Sequence, residues 1–145
     1  MATICWKSCY EIGVGTFDAE HQNLVRLVNA LYEGIRQHQG EHLAQEVLDE
    51  LILYTDKHFQ HEEQYMEKYN YPAEARLHHQ QEHQGLREQV LAYRQRLQSD
   101  PQNLLLPELF RFLRQWVLDH IVETDMQFGA FLRQHSVYDC GPPVL

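Results

Sequence analysis

With 145 residues, 43% of them hydrophobic, the chain holds enough apolar material for one compact domain with a real core. Its formal net charge of −9 argues against nucleic acid or an anionic membrane surface as the main partner. No apolar run is long enough to span a bilayer, the first residues are too polar for a signal peptide, and Cys5, Cys9 and Cys140 fit free thiols in a reducing cytoplasm better than a disulfide framework or a zinc site.

Residues 1–17 read as an irregular arm. Trp6, Tyr10, Ile12, Val14 and Phe17 suit it to packing on the body, and Gly13 and Gly15 bracket a short extended piece. A first helix, 18–38, starts at Asp18 as N-cap, with Thr16 as the alternative. His21, Leu24, Val28, Leu31 and Ile35 follow at three- and four-residue steps, which is one face of a helix. It fades at His38-Gln39-Gly40. The second helix, 41–69, repeats the pattern through Val47, Leu51, Tyr54, His58, Glu62, Tyr65 and Tyr69. Asn70-Tyr71-Pro72 ends it, with Pro72 suited to the first turn of the next.

The third helix, 73–99, runs through His79, His83, Leu86, Val90, Tyr93 and Leu97 to a break at Ser99-Asp100-Pro101. The fourth, 104–134, carries Leu109, Leu113, Trp116, His120, Asp125, Phe128 and Leu132, with Pro107 tolerated in its first turn. Residues 135–145 form a short tail around Gly141-Pro142-Pro143. No strand pattern competes. The expectation is an all-α single domain, 1–145, folded as an antiparallel up-down-up-down four-helix bundle.

Positions on a bundle seam normally hold aliphatic or aromatic residues. Here every helix places an ionisable residue in that phase: His21; His58 and Glu62; His79 and His83; His120. Asp125 is one step off, because five residues turn an α-helix by about 140°, so spacing alone does not select it; a family resemblance running through the whole chain does. In the expected topology the start of the first helix, the end of the second, the start of the third and the far half of the fourth lie at one end. The polar residues then share a layer, where burial without partners would cost several kcal/mol. His79 is preferred to His78 because it is in phase with Leu86 and Val90, and Glu62 is preferred to Glu63 by the same test. His38, His42, His61, His78 and His135 have no such phase and are expected in solvent. Tyr54, Tyr65, Met66 and Trp116 read as ordinary core.

Five imidazoles and two carboxylates are too many for one zinc ion and too rich in nitrogen for calcium or magnesium. Two octahedral ions offer a dozen positions. The imidazoles, two bridging carboxylates and one solvent-derived oxo or hydroxo bridge fill all but one of them. Imidazole with carboxylate suits iron, and a single open position suits a small diatomic ligand. The Glu-x-x-His motif of carboxylate-rich di-iron bundles is absent from this layer. Neutral imidazoles in its place disfavour high-valent iron, so the site is expected to bind O2 rather than consume it.

Trp6 before Val14-Gly15, Asp18-Ala19-Glu20-His21 with Leu24, His58-Phe59 with Glu62-Glu63 and Met66, Tyr71-Pro72, His79-Gln80-Gln81-Glu82-His83, and His120-Ile121 with Thr124-Asp125 together resemble a hemerythrin of the bacterial single-domain kind. The likeness covers essentially the whole chain. It implies two Fe ions bridged by oxo or hydroxo and by Glu62 and Asp125. His79, His83 and His120 would hold the coordinatively full iron, and His21 and His58 the one with the open position. Leu24, Phe59, Trp116, Val117 and Ile121 then resemble the apolar lining of the O2 pocket. Two departures stand out. The stretch from Tyr71-Pro72 to His79 is longer than the family pattern. Glu123 stands where an apolar residue is expected, and facing inward it would speed autoxidation.

The function implied is reversible O2 binding for carriage, storage or delivery, with other small diatomics or anions as further ligands and no enzymatic role beyond a weak peroxidase-type side activity. The competing readings are a di-iron enzyme (peroxidase, nitric-oxide-handling or ferroxidase) and an oxygen-sensing module.

Overall fold

A computed structural model describes residues 3–37, 40–99 and 106–140, without the side chains of 40–43. Helix α1 spans Gly15–Arg36, α2 Gly40–Lys68, α3 Ala73–Ser99, α4 Leu106–Asp119 and α5 Met126–Gln134. A π-helical turn, His120–Asp125, joins α4 to α5 as one rod. There is no strand among the described residues, and no described helix is long and apolar enough to cross a membrane. The breaks expected at His38-Gln39 and Asp100-Pro101, the Gly141-Pro142-Pro143 tail and His38 lie outside the described residues, as does the side chain of His42.

Side-chain pairs fix the direction of each rod. From α2 to α3 they run Asp49–Arg94, Asp56–Arg87 and Glu63–His83. From α1 to α2 they run Glu20–His58 and Arg26–Glu50. From α3 to the last rod they run Tyr93–Glu108 and Glu82–His120, and α1 meets that rod through Tyr32–Phe110 and His21–Asp125. In each series one number rises while the other falls, so neighbouring rods are antiparallel and the bundle closes as α1–α2–α3–α4. The apolar seams do the packing. Leu24, Val28 and Leu31 of α1, Leu48 and Leu51 of α2, Leu86 and Val90 of α3, and Leu109, Leu113 and Val117 of α4 are all buried.

The first helix begins three residues earlier than Asp18, with Val14 in the capping position and no side-chain cap. Asp18 is therefore not the N-cap. Its carboxylate reaches back to accept the N–H groups of Ile12 (2.7 Å) and Gly13 (3.2 Å). This bond ties the arm to the first turn, where the helix dipole also favours negative charge. Gly13 turns the chain there at φ 85°, a conformation open to glycine without strain. The arm lies along α1, with Ile4 exchanging two hydrogen bonds with the Asn29 side chain (2.8 and 2.9 Å).

Helix α2 stops where Asn70 enters the left-handed region (φ 55°) and Tyr71 N–H bonds back to Met66 O at 2.8 Å, a Schellman closure. Pro72 then sits just before α3, its carbonyl accepting from Arg76 N–H at 2.8 Å. Ser136 (φ 62°) ends the last rod in the same way, with Val137 N–H on Leu132 O at 2.9 Å. The following residues return to α1, where Gly15 N–H donates to Tyr138 O (2.8 Å) and Thr16 bonds to Asp139 and Cys140. Cys5 and Cys9 are exposed, Cys140 is half-buried, and all three are free.

Gly129 of α5 is the seat of the arm. A Cβ there would lie 2.6 Å from the Ile12 carbonyl oxygen and 2.8 Å from Ile12 Cβ. Gly129→Ala is therefore expected to destabilise the protein by about 1–3 kcal/mol, as overpacking does. A melting temperature equal to wild type would show that the arm does not dock at this point.

Candidate metal centre

At one end of the bundle all four rods deliver polar side chains into the core. His21, His79, Glu62 and Asp125 are fully buried, and His58, His83 and His120 are at most 4% exposed. They form two overlapping donor groups with ligand atoms within 4.8 Å of one another. One group is Glu62, His79, His83, His120 and Asp125; the other is His21, His58, Glu62 and Asp125. The two carboxylates belong to both.

Asp125 shows how the groups interlock. Its Oδ1 lies 2.9 Å from His79 Nε2 and 3.0 Å from His120 Nε2, while Oδ2 lies 3.0 Å from His21 Nε2. Glu62 Oε1 sits 3.2 Å from His83 Nε2 and 3.3 Å from His58 Nε2, with His79 Nε2 at 3.8 Å. Close as they are, these five Nε2 atoms and four carboxylate oxygens make no hydrogen bond of acceptable direction. Buried polar atoms seldom stay unsatisfied in a native protein. Nine that converge on one place fit a metal-ligand set, and the mix of imidazole and carboxylate fits iron.

The π turn brings Asp125 into the layer. In an α-helix a residue five places after His120 points away from it. The wider i→i+5 turn inserts one residue and returns Asp125 to the same face. Glu123, in the same turn, is exposed. Register elsewhere follows the seam, with His79 buried and the His78 side chain 65% exposed on Glu82.

Of the residues expected to line an apolar pocket, Leu24, Phe59, Val117 and Ile121 are buried and Trp116 is half-buried. Phe59 stacks on His83 (3.7 Å, 7°) and Trp116 on His120 (4.4 Å, 15°). Both rings therefore cover the five-donor group. Tyr54 and Tyr65 are half-buried and Met66 is fully buried.

Sequence reasoning missed an outer ring of carboxylates. Glu20 accepts from His58 Nδ1 (2.6 Å) and His61 Nδ1 (2.7 Å), Glu63 lies 3.2 Å from His83 Nδ1, and Glu82 lies 2.7 Å from His120 Nδ1 while taking the Thr124 hydroxyl at 2.8 Å. The signal was there: each of the three is next in sequence to an inward residue (His21, Glu62, His83). One helical step turns it by about 100° toward the neighbouring rod. His61 is a correction. It is fully buried rather than in solvent, because Glu20 of α1 supplies its polar partner. His135 is exposed, with Nδ1 on Phe131 O at 2.9 Å.

The electrostatics favour the charged forms of Glu62, Asp125, His79 and His120. Burial pushes Glu62 and Asp125 toward the neutral form, as does the repulsion between them at Glu62, but the surrounding imidazoles hold both carboxyls below the usual range. Burial also opposes charge on His79 and His120. Asp125 and Glu62 override it at His79, and Asp125 with Glu82 at His120, raising these groups to about 10 and about 9.

Protons thus compete with metal for the same nitrogens. In metal-free protein the imidazolium–carboxylate pairs stabilise the fold fully below the ordinary histidine value of 6.5, and that share is lost as pH rises through about 9 and 10. The carboxylates' share is present above their ordinary values and lost as pH falls through the depressed ones. Metal uptake near neutral pH is expected to release protons and to tighten as pH rises. Calorimetric binding heats should vary with the ionisation enthalpy of the buffer, and identical heats in every buffer would contradict this.

Residues 12–132 match the hemerythrin HHE cation-binding domain. The bacteriohemerythrin of Stenotrophomonas maltophilia is 30% identical over 135 residues, covering 93% of this chain and 85% of its own. That of Pseudomonas aeruginosa is 32% identical over 138 residues, covering 94% and 86%. Among solved structures, the crystal structure of a hemerythrin point mutant superposes with a TM-score of 0.78 at 26% identity, covering 90% of this chain and 97% of the other.

Proposed function

The chain belongs to the hemerythrin family, and from that premise we propose that its bundle binds O2 reversibly at a pair of iron ions, for carriage, storage or delivery to an oxygen-consuming enzyme. The observation that carries this reading is the sharing of Glu62 and Asp125 by two buried donor groups of unequal size. His79, His83 and His120 would hold one ion, His21 and His58 the other, with the two carboxylates and an oxo or hydroxo group between them. Such a pair would supply the two electrons that reversible O2 binding requires.

The chain's own residues set the conditions. Glu62 and Asp125 neutralise charge in the layer, and the imidazoles are held with Nε2 inward. Phe59, Trp116, Leu24, Val117 and Ile121 are proposed to keep water from the centre, and a dry site suppresses loss of bound ligand and side reactions. Glu123 lies outside that lining, so it adds no charge within it. The unpaired Cys5 and Cys9 support a reducing, cytoplasmic setting, and the whole chain is proposed to act as a single hemerythrin-like domain.

Metal analysis with optical spectra under deoxygenated and aerated conditions tests the reading. Two irons per chain and an absorption that appears with O2 and vanishes on its removal are expected. Rapid turnover of peroxide or O2 without a persistent adduct would instead establish an enzyme.

A further inference from the structure

We propose that Glu20 and His61 are positioning residues that act through His58 to hold the metal ion of the four-donor group, an inference that rests on the di-iron reading above. One carboxylate serves two histidines. Glu20 Oε1 lies 2.6 Å from His58 Nδ1, and Oε2 lies 2.7 Å from His61 Nδ1. An ionised carboxylate only accepts, so each Nδ1 carries the hydrogen. For His58 this leaves the lone pair on Nε2, the atom 3.3 Å from Glu62 Oε1. Fixing the tautomer and the ring orientation through the far nitrogen also makes the near one a better ligand.

His61 is fully buried and belongs to neither donor group. Its ring is wedged edge-on against Phe17 (4.9 Å) and Tyr65 (5.5 Å). From there it anchors the second oxygen of Glu20. That anchor matters because Glu20 also borders a hollow of about 190 Å3 with Tyr54, Lys57 and His58. A carboxylate free to swing into the hollow would release the Nδ1 of His58.

The support is uneven between the two groups. In the five-donor group two of the three histidines, His83 and His120, are backed by carboxylates, Glu63 and Glu82, while the Nδ1 of His79 has no hydrogen-bond partner among the described residues. In the four-donor group the Nδ1 of His21 has no hydrogen-bond partner among the described residues. Glu20 is therefore the whole of that group's outer support. Its loss removes one ion selectively rather than loosening both.

The test is anaerobic titration of metal-free protein with ferrous ion against a competing chelator, with iron per chain counted after desalting and helix content checked by circular dichroism. Glu20→Ala should weaken one of the two ions by about 10–100-fold, the usual effect of losing an outer partner, and leave the other unchanged. Glu20→Gln keeps an acceptor for His58 but loses its negative charge, and should weaken the same ion by about tenfold. His61→Phe fills the same space without the donor and should weaken the same ion by about tenfold. Should Glu20→Ala fail to fold, the other two variants carry the measurement. Wild-type affinity in the Glu20 variants or in His61→Phe, or equal weakening of both ions, overturns the inference. Wild-type protein that takes up fewer than two irons overturns the di-iron reading beneath it.

Discussion

Asp125→Ala is expected to lower iron below two per chain and to abolish the O2-dependent absorption. Because Oδ1 of Asp125 faces His79 and His120 while Oδ2 faces His21, truncation takes a donor from both groups at once. It also leaves the inward Nε2 atoms of His21, His79 and His120 without their nearest carboxylate oxygen. The effect on metal affinity should exceed the roughly 10–100-fold that outer partners contribute. Glu62→Ala should behave alike, since its Oε1 stands beside His58 and His83. His21→Ala is the informative contrast. It strips one donor from the four-donor group alone, so one ion should be retained while the adduct is lost. An adduct that survives in both carboxylate variants would refute the bridging role.

Metal removal should have the other large effect. Nine nitrogen and oxygen atoms of the proposed ligand set are buried without a hydrogen bond of good direction. With metal at about 100 times its dissociation constant, each site contributes about 2.7 kcal/mol of linkage stabilisation. Two sites together amount to about 5 kcal/mol. In a domain of this length each kcal/mol moves the melting temperature by a few degrees, so chelation should lower it by roughly 15 °C. Reloading ferrous ion should restore it. Superimposable melting curves with and without metal would mean that the inner side chains satisfy one another and do not converge on ions.

These two results would bear on different levels of the molecule. The first concerns how two ions share ligands, and the second whether the buried layer depends on ions at all. Loss of adduct with an unchanged melting curve would place the centre outside the fold's energetics. That outcome is at odds with the complete burial of Glu62 and Asp125.

The bundle and most of its polar layer were legible in the chain because both obey helical periodicity. His21, His58, Glu62, His79, His83 and His120 stand where Leu or Val would otherwise continue each seam. The preference for His79 over His78 needed only the phase of Leu86 and Val90. Short connections then imply antiparallel neighbours, and antiparallel neighbours bring those residues to one end. Asp125 was different. Its spacing from His120 is wrong for an α-helix, and only the family resemblance pointed to it. The π turn that corrects the phase is a backbone choice invisible to periodicity.

What the sequence determined alone was the set of rods and the face each one buries, since those follow from side-chain order along a regular helix. The tertiary structure decided what crosses between rods. It set Glu20 against His58 and His61, Glu82 against His120 and Glu63 against His83, and it drew His61 out of solvent. A side chain one step off a seam can face water or a neighbour. Only the separation and rotation of the next helix settle which, because a hydrogen bond forms within a few tenths of an ångström or not at all.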